Sequence, residues 1–210
     1  MNRSNPGLLV SFEGTEGSGK STLIKGIHAH FKQRGYRVLA TREPGGCPLG
    51  ETLRTLVLSS SMHPKTELFL YEAARSEHFH QVILPALSTP TLVLCDRFTD
   101  STLAYQSYAR GLPWEEVNTL NNLASSVQPD LVVFLDIDPE KGLKRARNPN
   151  RFEAEGVEFQ AQVRMGYLKA RTENPERWFT LDDQHFRTLI PTLVQELWRR
   201  FGKALECMKI

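Results

Sequence analysis

Cysteine is scarce in this 210-residue chain: Cys47, Cys95 and Cys207 stand far apart, without metal-ligand spacing, and three thiols cannot all pair. That argues against a disulfide framework and a thiolate zinc site, and leads us to expect a reducing cytoplasm. Long apolar runs are missing as well, so no segment is expected to cross a bilayer. Residues 1–7 are short and polar, without the apolar stretch of a secretion signal. The tail Cys207-Met208-Lys209-Ile210 looks like a prenylation box, but lysine at an aliphatic position argues against lipidation. Charge of one sign is hardly in excess. The 26 basic and 24 acidic residues give a formal +2, too little for a general nucleic-acid surface. No Ser/Gly-rich or Pro-rich linker and no repeat divides the chain, so one domain spanning residues 1–210 is expected.

What the chain does contain is Gly14-Thr15-Glu16-Gly17-Ser18-Gly19-Lys20-Ser21, a complete GxxxxGK[ST] loop. Before it, Leu8-Leu9-Val10-Ser11-Phe12 has the length and apolarity of a buried parallel strand; after it, Leu23, Ile27 and Phe31 recur at helical spacing. A glycine-rich turn matching by accident would lack that context. The glycines let successive amide groups turn inward around a polyphosphate, and the helix start at Lys20, Ser21 and Thr22 adds positive dipole and unpaired donors. Lys20 is placed to reach the β and γ phosphates, and Ser21 to offer its hydroxyl to Mg²⁺. A nucleoside triphosphate is the first partner to expect.

Further strands are expected at residues 36–41, 91–96 and 131–136, with a weaker fifth at 177–181. Helical patterns fill the intervals, notably 66–87 and 115–126, and a last amphipathic helix carries Phe186, Leu189, Ile190, Leu193, Leu197 and Phe201. Alternating strands and helices imply an α/β fold with a parallel sheet covered on both faces, whose ligands gather beyond the carboxyl ends of the strands. The phosphate loop, Arg42, Asp96 and Asp136 all fall there.

Several clusters admit both a plain and a chemical reading. Arg42-Glu43-Pro44-Gly45-Gly46 is either a surface turn or, with Arg54 on the helix after Pro48, part of an anion site. Tyr71 and Arg75 lie one helical turn apart. They are either a core tyrosine with an arginine covering its edge, or a platform and donor for a planar base with its phosphate. Asp96-Arg97 at a strand end is either a helix cap or a magnesium-holding carboxylate beside a phosphate-neutralising guanidinium. Asp138-Pro139 reads as N-cap and first helical residue, and Asp136 beside it as structural. The helix it starts carries Lys144, Arg145 and Arg147, breaks at Asn148-Pro149-Asn150 and resumes at Arg151. This is either a solvated basic face or a mobile lid over residues 145–157 that delivers arginine to phosphates. His78 and His80, two apart on a helix, cannot share a face as ligands, and Cys47 is not needed as a nucleophile in phosphoryl transfer.

Taken together, these segments resemble the thymidylate kinase family in its bacterial form. The phosphate loop with acidic third residue, residues 41–46, Leu53-Arg54-Thr55-Leu56-Val57-Leu58, Ala73-Ala74-Arg75, Asp96-Arg97-Phe98 through Ser101 to Tyr105-Gln106, Gln128-Pro129-Asp130-Leu131 and Asn150-Arg151-Phe152-Glu153 carry the likeness in the family's order. The resemblance implies a P-loop NTPase fold with five parallel strands and a short arginine-bearing lid. It implies an enzyme that converts dTMP to dTDP with MgATP for dTTP synthesis, working as a cytoplasmic homodimer without nucleic-acid or membrane partners. On the matching positions it implies that Tyr71 stacks on thymine, that Arg75 and Gln106 bond the base edge, and that Ser101 and Thr102 lie close. Arg42, Arg54 and Arg97 would handle the dTMP phosphate, with Pro44 beside them in a cis Glu43-Pro44 turn. Tyr105 would pack against the deoxyribose. Glu16, Ser21 and Asp96 would organise magnesium and the acceptor phosphate, while residues 14–22 and Arg147 would hold ATP.

Three comparisons with the family sharpen this. Tyr71 stands where phenylalanine is frequent, so its hydroxyl needs a partner. Asp182-Asp183-Gln184-His185 only partly matches the usual Asp-Gln-Pro near adenine. Gly17 stands where some relatives carry arginine, so the stabilising arginine is expected from the lid, first Arg151 and then Arg147, with an Arg151→Ala loss of about 10³ in kcat. The alternatives are a broader nucleoside monophosphate kinase accepting dUMP or UMP, and a P-loop regulatory or binding protein. A GTP switch would need an Asn-Lys-x-Asp segment, which is absent, and an inactive scaffold would not be expected to keep Lys20, Asp96 and Arg97.

Overall fold

The computed structural model describes residues 6–145, 151–182 and 188–210. Five strands, β1 (Leu8–Glu13), β2 (Val38–Arg42), β3 (Leu92–Asp96), β4 (Leu131–Asp136) and β5 (Trp178–Asp182), form one parallel sheet in the order β2-β3-β1-β4-β5. β1, β3 and β4 are near-continuous apolar runs because both faces are covered, and all their residues up to the carboxyl ends are buried. The strands expected from sequence are all present, shifted by a residue or two at their ends.

One face of the sheet is covered by α1 (Lys20–Lys32) and α10 (Leu189–Glu206), where Leu23, Ile27, Phe31, Leu193 and Leu197 close over Leu8, Val10 and Phe12. The helical period that placed Leu23, Ile27 and Phe31 on one side thus buries that side. Phe186, expected on the last helix, lies outside the described residues.

The other face carries α2 (Pro48–Ser59), α3 (Pro64–His78), α4 (Leu84–Leu87), α5 (Thr99–Thr102), α6 (Trp114–Ala124), α8 (Arg151–Ala154) and α9 (Gly156–Glu173), with α7 (Pro139–Arg145) after β4. The helix expected over 66–87 is interrupted: α3 passes through a π-helical turn, Phe79–Ile83, before α4, and a second such turn, Leu103–Ala109, follows α5. π-turns of this kind often sit at functional sites, and the second one supplies Tyr105 and Gln106. Asp138 caps α7 by accepting from the Lys141 amide at 3.1 Å, with Pro139 in the first turn. Asp136 is paired with Arg164 at 2.5 and 3.0 Å.

Candidate functional site

At the end of β1 the chain turns through residues 14–19 into α1. Gly17 and Gly19 have φ of +70° and +94°, in the left-handed region that glycine enters without a Cβ penalty. Gly17 is constrained a second time, because a Cβ there would run into the carbonyl of Gly142 on α7. Loop and helix therefore meet backbone to backbone, and an arginine side chain at this position has no room.

Lys20 Nζ donates to the carbonyls of Gly14 and Thr15, both at 3.0 Å, and to Ser18 Oγ at 3.2 Å. Its ammonium protons are held inside the loop, and burial, reinforced by Arg97, pushes its pKa down to about 8. Ser21 Oγ donates to Asp96 Oδ2 at 2.7 Å, bringing two hard oxygen ligands together at the head of α1 and the end of β3. That donor set suits magnesium.

Arg97 has φ of +70°, uncommon for a residue with a side chain. The surroundings hold it there. Its amide donates to Phe12 O at 3.0 Å, and the next amide, Phe98 N, donates to Glu13 Oε1 at 2.8 Å. Its guanidinium donates to Glu16 Oε1 at 2.7 Å, Tyr105 Oη at 3.0 Å, Tyr167 Oη at 2.9 Å and Gly14 O at 3.1 Å. Burial alone would lower its pKa, but Glu16, Tyr105 and Tyr167 hold it above the usual value. Glu16 moves the other way: burial would raise its pKa, and Arg97 and Lys20 outweigh that. Glu13, fully buried behind this group, is pushed up to about 7 by burial and by Asp100.

Across the cavity, α3 carries Glu67, Tyr71 and Arg75 at four-residue spacing. Arg75 is 2% exposed and donates from Nε to Glu43 Oε2 at 2.8 Å, from Nη1 to Glu72 and Asn121, and from Nη2 to Phe98 O at 3.1 Å. Burial alone would lower its pKa, and Glu72 and Glu43 raise it. One Nη2 proton is left for a ligand. Glu43 also holds His78 Nδ1 at 3.0 Å, whose Nε2 lies 2.6 Å from Thr41 Oγ1, and a Cβ on Gly46 would strike that imidazole. So His78 is a buried support for the Glu43–Pro44 turn, whose peptide is cis as the resemblance implied.

A cavity of about 710 Å³ lies between these two groups. Glu16, Gly17, Ser18, Gly19, Lys20, Ser21 and Thr22 line one end, and Tyr71, Arg75, Thr102 and Gln106 line the other, with Arg42, Pro44, Arg54, Asp96, Arg97, Ser101 and Tyr105 between. Gly14 and Thr15 stand behind it, their carbonyls on Lys20. Thr102 Oγ1 is buried and, among the described residues, without a hydrogen-bond partner, a polar atom open to a ligand. Ser101 borders the cavity, and its hydroxyl donates to Glu13 Oε2 at 2.6 Å and shares a hydrogen bond with Tyr167 Oη. Arg42 is clasped by both Glu51 oxygens at 2.8 Å, and Arg54 donates to Pro44 O at 2.9 Å.

Arg151 corrects the expectation that it turns toward phosphates. Its Nε donates to Val57 O at 2.7 Å and its Nη2 to Glu67, whose side chain is 1% exposed, so it sits at the base-side end. The cause is a buried acid on α3 that needs a cation. Arg145, the last residue of α7, lines the cavity instead, and Arg147 lies outside the described residues, as do residues 183–185 near the expected adenine site. Sequence reasoning also missed Glu13, Glu67, Glu72, Asn121, Tyr167 and Gln160, whose Oε1 accepts from the amide of Glu16 in the loop at 3.3 Å. An acid ending an otherwise apolar strand was a visible signal for Glu13, and two acids flanking Tyr71 on α3 were one for Glu67 and Glu72. The other three carried none.

A parallel sheet with a phosphate loop after its central strand, a strand-end aspartate bonded to the loop serine and a cationic cavity in front define a P-loop nucleotide-binding protein. A family model described as Thymidylate kinase matches residues 12–188, and the chain belongs to that family. It is 46% identical over 189 residues to a thymidylate kinase of Pelobacter propionicus, covering 84% of this chain and 86% of that protein. It is 44% identical over 199 residues to one of Bacillus cereus, covering 90% and 96%. A crystal structure of thymidylate kinase from Ehrlichia chaffeensis superposes with a TM-score of 0.76 at 31% identity, covering 91% of this chain and 98% of that one. The protein is therefore an enzyme, a nucleotide-binding kinase of the transferase class with a P-loop NTPase fold.

Proposed function

We propose that the chain phosphorylates dTMP to dTDP, taking the γ-phosphoryl of MgATP by direct in-line transfer in the service of dTTP synthesis. The observation that carries this reading is one cavity with a phosphate loop at one end and Tyr71, Arg75, Thr102 and Gln106 at the other. Loop amides and Lys20 hold the donor phosphates, Lys20 exchanging a loop carbonyl for phosphate oxygen. Ser21 and Asp96 would hold magnesium, which supplies charge neutralisation between the phosphates. Glu16 is bonded to Arg97 and Tyr105, so it acts by positioning these two groups. Arg97, fixed at the β3 end, meets the acceptor phosphate with Arg42 and Arg54. The acceptor is already an anion at neutral pH, so orientation and charge neutralisation provide most of the rate without a strong general base.

At the far end Tyr71, which borders the cavity, offers its ring as a stacking platform. Tyr105 closes the sugar side. Of the lid expected over residues 145–157, residues 146–150 lie outside the described residues, and the described part is read as a lid because Arg145 and Phe152 both border the cavity; Arg145 brings positive charge to the donor phosphates there, while Arg151 serves the base side. The exposed apolar side chains Leu56, Phe69 and Leu123, on α2, α3 and α6, are candidates for a homodimer surface. Sedimentation would test that. No helix among the described residues is long and apolar enough to cross a membrane, and a cytoplasmic location fits the free thiols Cys47, Cys95 and Cys207.

The test is acceptor-dependent ADP release with MgATP and, separately, dTMP, dUMP, UMP, dCMP and AMP. The expected result is the highest kcat/KM with dTMP. Equal turnover of dUMP or UMP would replace it with a broader pyrimidine kinase, and no acceptor-dependent turnover would remove the reading altogether.

A further inference from the structure

Glu67 does not line the cavity, yet it controls a group that does. Gln106 Nε2 donates to Glu67 Oε1 at 2.8 Å. Its side-chain carbonyl accepts no hydrogen bond among the described residues, and Gln106 borders the base end of the cavity. A glutamine amide has one donor end and one acceptor end, so a neighbour that can only accept decides which end is left for a ligand. Glu67 is such a neighbour. It is held by Arg151 Nη2 on Oε2 and by Arg110 Nε, 3.5 Å from Oε1, and Arg110 lies in turn over the Phe159 ring at 4.6 Å. Two guanidinium groups thus hold the orientation of this side chain, which is 1% exposed.

We infer that Glu67 is a specificity-determining positioning residue: by accepting from the Gln106 amide nitrogen it fixes the amide's orientation, presents the Gln106 carbonyl oxygen to the base and thereby selects a pyrimidine with a protonated N3. This rests on the reading of the cavity as a pyrimidine monophosphate site. Thymine carries a donor at N3 and an acceptor at O4, which pair with Gln106 Oε1 and the remaining Nη2 proton of Arg75. Cytosine carries an acceptor at N3 and a donor at C4, so both pairs become repulsive. The orientation at Arg75 is fixed by Glu43 and Glu72; the orientation at Gln106 depends on Glu67.

The critical substitution is Glu67→Gln, which keeps the shape. The single carbonyl oxygen of the new side chain is claimed by the charged Arg151, leaving its amide nitrogen toward Gln106. Gln106 then turns its carbonyl to that amide and its own NH₂ to the cavity. The measurement is kcat/KM for dTMP and for dCMP, with dCMP binding also read as its inhibition constant against dTMP so that a slow acceptor is still scored. We expect the dTMP value to fall at least about tenfold, through KM more than kcat, while dCMP binding holds or tightens. A Gln106→Leu variant should lose the same discrimination, and adding Glu67→Gln to it should change the dTMP-to-dCMP ratio no further. Equal losses for both nucleotides, or an unchanged ratio, would overturn the inference and leave Glu67 a structural residue. If Glu67→Gln does not fold, Glu67→Asp, which withdraws the acceptor by a methylene, is scored the same way. Wild-type protein that does not use dTMP at all defeats the functional reading instead, so the two failures are distinct.

Discussion

The two ends of the cavity are built in different ways. The donor end is largely local: a strand, eight consecutive residues and the first turn of a helix supply its amides, its lysine and its serine, while Asp96 and Arg145 come from elsewhere in the chain. The base end is assembled from α3, the π-turn after α5, α6 and the segment at 151. Its ligand-facing groups, Arg75 and Gln106, are held by Glu43, Glu72, Asn121 and Glu67, and of these Glu43 alone belongs to one of the short motifs read from the sequence. A backbone cradle carries its geometry in its own sequence. A side-chain lattice depends on distant partners, 46 residues apart for Arg75 and Asn121, and it trades tolerance for selectivity, because each buried charge is costly when its partner is lost.

This contrast can be broken most forcefully at Lys20. Lys20→Ala should lower kcat/KM by about 10³ while the melting temperature stays close to wild type, because the loop's own backbone bonds persist. A loss under tenfold would mean that the loop amides alone carry the donor. At the base end the outcome should differ in kind. Arg75→Met strands Glu43 and Glu72 as buried acids without their cation, and should cost about 3–5 kcal/mol of folding stability in denaturant titration, beyond any effect on dTMP binding. A fully stable Arg75→Met protein with weak dTMP binding would show that the lattice is held together elsewhere.

Arg151 sharpens the comparison because it was expected at the donor end and stands at the base end. Arg151→Ala should raise the KM for dTMP by about tenfold with kcat at saturation within a few-fold of wild type. A collapse of kcat by about 10³ at unchanged KM would return it to the phosphates.

What could be read from the sequence follows the same division. The strands and the loop's position came from apolar runs and the GxxxxGK[ST] spacing, since local chain geometry dictates both. Tyr71 and Arg75 were paired by their helical spacing, while their thymine roles and Gln106 came through resemblance. Nothing in the chain announces that Glu67 faces Gln106 or that Arg151 closes on Glu67, because those pairings arise from packing of elements far apart in sequence. The split of the helix over 66–87 by a π-turn was likewise invisible, as its apolar period is only slightly different from that of an α-helix.

Two smaller effects depend on protons. Glu13, behind the donor end, has its pKa raised from 4.5 to about 7 by burial and Asp100. Its neutral form is favoured by folding, so this contribution is complete below pH 4.5 and is lost as pH rises through 7. Glu13→Gln should therefore flatten the decline in melting temperature between about pH 5 and 8, an effect of about 1–3 kcal/mol. An unaltered slope would assign the titration to another group. Lys20, lowered to about 8 by burial and Arg97, should gain a proton when phosphates arrive. Calorimetry of ATP binding in buffers of different ionisation enthalpy should show fractional proton uptake at about pH 8 and none near about pH 6.5; equal heats in all buffers at the higher pH would contradict it.

The most direct test of the division between a backbone cradle and a base-reading lattice is a crystal structure with dTMP bound. The expected result is the thymine ring against Tyr71, N3 within hydrogen-bond reach of Gln106 Oε1, O4 at Arg75 Nη2, and the phosphate among Arg42, Arg54 and Arg97. A thymine ring bound away from Gln106 and Arg75, or one facing the Gln106 NH₂, would contradict it.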